Sequence, residues 1–241
     1  PAAGRVVLVP DADQTPEQLV GLVSGAGRPE DEIGRRLAEN SFELVIPLTV
    51  SRAKLETSVP PLRNSDQTYR EWIYSQAFHL GRHVIGYEVQ MALAAVDWFS
   101  ASPQSTAKIG VAGYGEGGLV AFHAAALDAR IDATLVSGYF RAREDAWREP
   151  IYRNVWARVR EFGDAEIASL ILPRRLVIEH SAAPAVSGHK GELQTPAGAT
   201  VRGEWARIGV PAAIGQAVFV AGEADGPVGP YSAPALEAFV H

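Results

Sequence analysis

Several of the few side chains in this sequence that can move a proton or attack a carbonyl lie beside a run of glycines. Gly113-Tyr114-Gly115-Glu116-Gly117 sets a carboxylate directly after a position that has no side chain. Glu116 can act there as a general base or as a displaced nucleophile, or it can be a first-turn acid complementing a helix macrodipole, which is the plainer reading. Histidine is the side chain that changes charge near neutrality. His180, next to Glu179 and within reach of Asp225, can form a base with an orienting acid, or it can be a satisfied polar residue at a strand end. Asp11 and Asp13, two residues apart, offer oxygen ligands of the kind Mg²⁺ or Ca²⁺ prefers. Asx turns that end strands have the same spacing, so no metal and no cofactor is expected. Cysteine is absent, which removes thiolate metal sites, disulfides and a cysteine nucleophile.

The elements around these residues follow from apolar patterning. Arg5 to Val9 is a short β-branched run stopped by Pro10, as a buried parallel strand would be. Glu30, Asp31 and Glu32 open a helix carrying Ile33 and Leu37, and Phe42 to Leu48 is the next strand. Tyr69 to Leu80 and Val84 to Phe99 read as helices separated by Gly81, the second with Ile85, Val89, Ala92, Val96 and Phe99 on one stripe. Lys108 to Ala112 is a strand that runs into the glycine cluster, and Glu116 to Leu127 is an alanine-rich helix. Further strands are expected at Ile131 to Phe140, Arg175 to Ile178 and Gln216 to Ala221, with a closing helix at Ala233 to Val240. Residues 141–163 read as a cap or crossover segment whose arginines form a solvated, salt-bridged face, an anion-binding lid being the sharper alternative. Residues 182–203, rich in Ala, Gly and Pro, read as a flexible loop. Alternating strands and helices imply an α/β fold with a mostly parallel sheet covered on both faces, in one domain spanning residues 1–241.

Length and charge narrow the function. At 241 residues and 47% hydrophobic content the chain can bury one large core. A net charge of −6, with no basic stripe, excludes a nucleic-acid partner. No apolar run is long enough to span a membrane and none at the start reads as a signal peptide. The chain begins at Pro1 without a methionine, so it is expected to be a processed product or part of a longer protein.

A strand, a Gly-x-x-x-Gly turn and an alanine-rich helix together resemble the nucleophile elbow of α/β-hydrolases, where small residues permit a sharp strained turn. The neighbouring segments are similar to those of acetyl xylan esterases and dienelactone-hydrolase-like carboxylesterases. Gly81-Arg82-His83-Val84-Ile85-Gly86 matches the stretch that opens their helix before the elbow, Val136-Ser137-Gly138-Tyr139 resembles their next strand end, and Asp164 to Ile178 resembles the segment leading to their acid-bearing strand. Two departures accompany the match. Such esterases begin with two further strands, so a sheet edge near Phe42 to Leu48 is expected to be exposed, or covered by another domain or subunit. The triad seats implied by the resemblance are also vacant: Gly115 stands at the nucleophile, Pro184 at the acid, and the loop from Gly222 to Ser232 has no histidine for the base. His241 follows the closing helix, too far from the site to serve.

The crevice expected at the carboxyl ends of the strands contains Asp11, Asp13, Gln14, Tyr114, Glu116, Tyr139, Glu179, His180 and Asp225, with Arg82 and His83 approaching from the start of their helix. These residues imply a domain with little or no catalysis that serves binding or structure, with a small ester or a carbohydrate as ligand. The alternative is a carboxylic-ester hydrolase in which Glu116 or His180 activates water, and in either case backbone N–H groups can still form an oxyanion hole. A third reading is an interaction module whose partner packs on Trp147 to Trp156, which exposure of both tryptophans would favour. The compartment is open, with export favoured only by the resemblance.

Overall fold

A computed structural model of the chain describes residues 3–23, 32–55, 67–101, 106–188, 191–209 and 216–241. Six parallel strands form one sheet in the order β2 (Phe42–Val45), β1 (Gly4–Val9), β3 (Ile109–Tyr114), β4 (Ala133–Ser137), β5 (Arg175–Glu179) and β8 (Ala217–Val220). The β-branched and apolar runs that mark β1, β3 and β5 are buried, as strands covered on both faces must be.

Side chains alternate between the two faces of the sheet and feed two cores. Val7, Val9, Val111, Val136 and Ile178 pack with α4 (Val84–Ser100), α5 (Glu116–Leu127) and α7 (Asp164–Ile171). Val6, Leu8, Ala112, Leu135 and Val177 pack with α2 (Ile33–Glu39) and α9 (Ala233–Val240). The stripe Ile85, Val89, Ala92, Val96 and Phe99 is the buried side of α4, and α3 (Tyr69–His79) packs beside it. A four-residue helix, α1 (Pro16–Leu19), follows β1.

The strand at Phe42 ends at Val45 rather than Leu48, and among the described residues its outer edge has no partner strand. Glu30 and Asp31, expected to open α2, lie outside the described residues. The segment 182–203 is not the irregular loop its composition suggests. It carries an antiparallel hairpin of β6 (Val186–Gly188) and β7 (Gly191–Leu193), then enters α8 (Gly198–Ala206). Tertiary contacts decide this outcome: α8 buries Val201, and Glu204 accepts a hydrogen bond from Ala165 N at 2.8 Å. Residues 141–163 hold two short 3₁₀ turns and α6 (Arg158–Glu161), with Tyr152 buried in the larger core.

Candidate functional site

Strand register sets the floor of the site. Val9 pairs with Gly113, Tyr114 with Ser137, and Ser137 with Glu179, so the loops after β1, β3, β4 and β5 leave the sheet side by side. At Gly115 the chain turns into α5 with φ 59° and ψ −116°, a backbone state that costs a residue with a side chain roughly 1–3 kcal/mol. A Cβ on Gly113 would lie 2.7 Å from Gly118 N, and one on Gly117 would lie 2.7 Å from Pro10 O. The turn is sharp because these glycines let backbone touch backbone.

The space above Gly115 is occupied by the chain itself. A Cβ there would run into Asp11 Oδ1, and it would lie 2.8 Å from Pro184 Cγ. Asp11 Oδ1 also accepts the Glu116 backbone N–H at 2.8 Å. In α/β-hydrolases that N–H belongs to the oxyanion hole. A carboxylate of the protein therefore occupies the donor that a reacting oxyanion would need, which corrects the expectation that this donor stays free.

Asp11 is held in turn by Arg52, whose Nη1 and Nη2 donate to Asp11 Oδ2 and Oδ1 at 2.5 and 2.9 Å. This fork is the two-pronged geometry in which Arg binds a carboxylate most strongly. Arg52 also reaches Asp13 Oδ2 at 2.7 Å and Glu116 Oε1 at 3.1 Å. The guanidinium takes the place of the cation weighed for Asp11 and Asp13, and no metal-binding group of three or more acids or histidines exists among the described residues. Gln14 Oε1 accepts from Asp11 N at 3.0 Å and braces the loop.

Glu116 is completely buried and more than a helix-terminal acid. Arg153 Nε donates to its Oε1 at 2.7 Å, Arg70 Nη2 lies 3.4 Å from its Oε2, and Arg52 completes the set. Burial alone would raise its pKa, but Arg153, Arg70 and Arg52 outweigh burial and hold it down to about 2. Such a carboxylate is a weak base for activating water. Arg70 forks Glu88 at 2.5 and 2.6 Å, tying α3 to α4.

The network continues into the 141–163 segment, and here the expectation of a solvated face is corrected. Arg143 donates to Asp164 at 2.8 Å and to Glu149 at 3.0 Å, Arg153 Nη1 lies 3.5 Å from Glu149, and Arg158 pairs with Asp164. Arg143 and Arg153 are buried because each has carboxylates at hand, whereas Arg148 and Arg160 are exposed. Tyr139 is buried beneath this cluster, with Arg143 4.0 Å from its ring centroid and Arg158 donating to its hydroxyl at 2.9 Å. Burial, as the largest cause, raises the Tyr139 pKa.

The remaining expected residues are placed but not gathered. Glu179 is buried and accepts from Ser137 Oγ at 2.7 Å and from Tyr231 N and Ser232 N at 2.8 Å each, so it anchors the loop after β8. His180 is also buried, its Nδ1 2.7 Å from Asp225 O and its Nε2 3.1 Å from Pro196 O. Both ring nitrogens face carbonyl oxygens, so neither is turned toward a proton of a substrate above Gly115. The Asp225 carboxylate is forked by Arg202 Nε at 2.9 and 3.0 Å. Tyr114 donates its hydroxyl to Ala182 O at 2.8 Å, and burial pushes its pKa up to about 12. Arg82 is exposed, and His83 caps α4, its Nδ1 accepting from Ile85 N at 3.1 Å. His123 contacts Leu119 O at 2.8 Å, and burial lowers its pKa to about 4. His241 lies with Arg5 and Lys108 around a cavity at the opposite ends of the strands.

Sequence reasoning missed Arg52, Arg70, Glu88 and Arg153. A signal existed for Glu88: it falls three residues after Ile85 and four before Ala92, on the apolar stripe of α4, where a charge requires a buried partner. Arg52 carried no such signal.

Comparison with known proteins agrees with this architecture. The model of the dienelactone hydrolase family matches residues 19–146. No curated protein matches the sequence. Among solved structures, a candidate acetyl xylan esterase from Bacteroides fragilis superposes with a TM-score of 0.62 at 14% identity, over 91% of this chain and 58% of that one. An acetyl xylan esterase from Paenibacillus sp. R4 gives 0.50 at 15% identity, over 99% and 74%. A protein from Thermus thermophilus gives 0.52 at 16% identity, over 94% and 82%. The chain thus spans less than two thirds of the Bacteroides protein, and at these identities the likeness shows the fold alone. The family model covers more than half of the 241 residues, and on that match the chain belongs to the dienelactone hydrolase family.

Proposed function

We propose that this chain is an α/β-hydrolase domain of the dienelactone hydrolase family that serves binding or structure, with an acyl-transfer site closed from within. The observation that carries this reading is the Asp11 carboxylate, which fills the space a side chain at Gly115 would need and accepts the Glu116 N–H. Acyl transfer requires a nucleophile, a base positioned to take its proton, and open donors for the oxyanion. At position 115 there is hydrogen, at 184 there is proline, and His180 is turned to two carbonyls. The esterase alternative relies on Glu116 or His180 as base. Its support is the company the fold keeps among esterases, and the ion pairs on Glu116 count against it.

The test is hydrolysis of 4-nitrophenyl acetate by the purified chain. The expected rate is that of buffer, unchanged in a His180→Ala variant. A rate at least ~10²-fold above buffer that His180→Ala abolishes without altering the far-ultraviolet circular dichroism would establish the esterase instead.

A further inference from the structure

We propose that the groove between residues 141–149 and residues 191–200 binds a neutral carbohydrate, with the Trp147 indole as its stacking platform. The proposal rests on the reading of a binding domain and names its ligand class. Two adjoining cavities of about 570 and about 300 Å³ share Arg141, Asp145 and Gln194 and so form one groove, which lies outside the closed crevice. Each falls in the size range of small-ligand sites, roughly 300–1,000 Å³.

Trp147 lines the larger cavity and is 70% exposed, so its ring is open to a ligand in the groove. Arg148 stacks on the ring with its guanidinium carbon 4.9 Å from the centroid, which steadies the indole at the wall of the groove. An aromatic face carries negative charge density, which favours the weakly positive C–H groups along one side of a sugar ring. The walls supply what hydroxyl groups need. Gln194 Nε2 donates to Glu192 Oε2 at 2.9 Å, which leaves Glu192 Oε1 and the Gln194 side-chain oxygen as acceptors and fixes both planar groups.

Charge selects among ligands. Arg141 is paired with Asp145 and with Glu149, and Glu149 is shared with the buried Arg143 and Arg153, while Arg148, Glu144 and Glu192 add one positive and two negative charges to the walls. An anion is disfavoured there, and Arg141 and Arg148 beside the acids leave no all-acidic cradle for a cation. A protein partner would bury a cluster of aromatic and aliphatic anchors, and this groove offers one ring amid polar walls.

Xylohexaose, cellohexaose and mannohexaose titrated into the purified chain, followed by isothermal calorimetry and tryptophan emission, test the proposal. At least one hexasaccharide is expected to bind. Trp147→Ala should weaken it at least about tenfold, while Trp156→Ala, which alters a tryptophan that does not line the groove, should leave affinity unchanged. Both residues are exposed, so both variants should keep the wild-type melting temperature. Absence of binding by all three sugars overturns the proposal and leaves a protein partner on Trp147 as the reading to pursue; binding that Trp147→Ala does not weaken overturns it equally. Neither result touches the closed crevice, which stands or falls by the hydrolysis rate.

Discussion

Glu116 sits buried among three guanidinium groups, and its stability consequences follow from that setting. Removing one partner of a buried ion pair strands the other, at a cost of about 3–5 kcal/mol. Glu116→Gln keeps the shape of the side chain and should lower the unfolding free energy by about that much, measured by urea denaturation at neutral pH. The pH dependence has a defined sign. The folded carboxyl is held at about 2 against an ordinary 4.5, so its stabilisation is complete above pH 4.5 and is withdrawn as pH falls toward 2. Stability curves between pH 7 and pH 3 should fall more steeply for the wild type than for Glu116→Gln. Equal slopes would mean that the carboxylate is not the ion-paired hub described above. At Gly115 the same neighbourhood acts sterically. Gly115→Ser must accept a positive φ and displace Asp11, so it should lose at least about 2 kcal/mol and show no esterase activity. A rise in kcat/KM of ~10³ would reveal a base already in reach.

The elements differ in how far their sequences announce them. α4 is legible from its apolar periodicity and α5 from its alanine-rich run, both local signals, and α5 matches its expected limits at both ends. Strand ends were less so: β4 is shorter than its apolar run, since Gly138 turns at φ 63° and Tyr139 and Phe140 leave the sheet for the core. α8 was hidden, because a stretch rich in small residues has no periodicity and its helix depends on contacts with α7. The candidate site was legible as a glycine turn between β3 and α5 and illegible in what fills it. Arg52 meets Asp11 and Glu116 across 41 and 64 residues, and no local pattern encodes such partners. At this scale the elbow gives a sharp prediction. Gly117→Ala would push a methyl group into the backbone carbonyls of Val9 and Pro10, so β1 and α5 could not both hold position. The variant should fail to give soluble, cooperatively unfolding protein, as judged by its thermal melt.

Across the whole molecule, carboxylates and guanidinium groups tie together the loops after β1 and β2, the helices α3, α4 and α5, and the segment over them. Loops that admit substrates open readily and exchange their amide hydrogens fast. Here the Glu116 and Arg153 amides, bonded to Asp11 and to Pro150 O, should exchange nearly as slowly as those of β3 at neutral pH. Exchange orders of magnitude faster than β3 would indicate a crevice that opens. The Asp11 carboxylate also constrains the history open to this sequence. A serine at 115 needs Asp11 gone, yet losing Asp11 first leaves Arg52 with less compensation, and gaining the serine first forces a clash. Each single step toward a nucleophile at 115 therefore costs stability, and the paired exchange removes the clash although Arg52 still loses Asp11. Asp11→Ala combined with Gly115→Ser should cost less than the two changes taken separately, a coupling that double-mutant unfolding data would read directly.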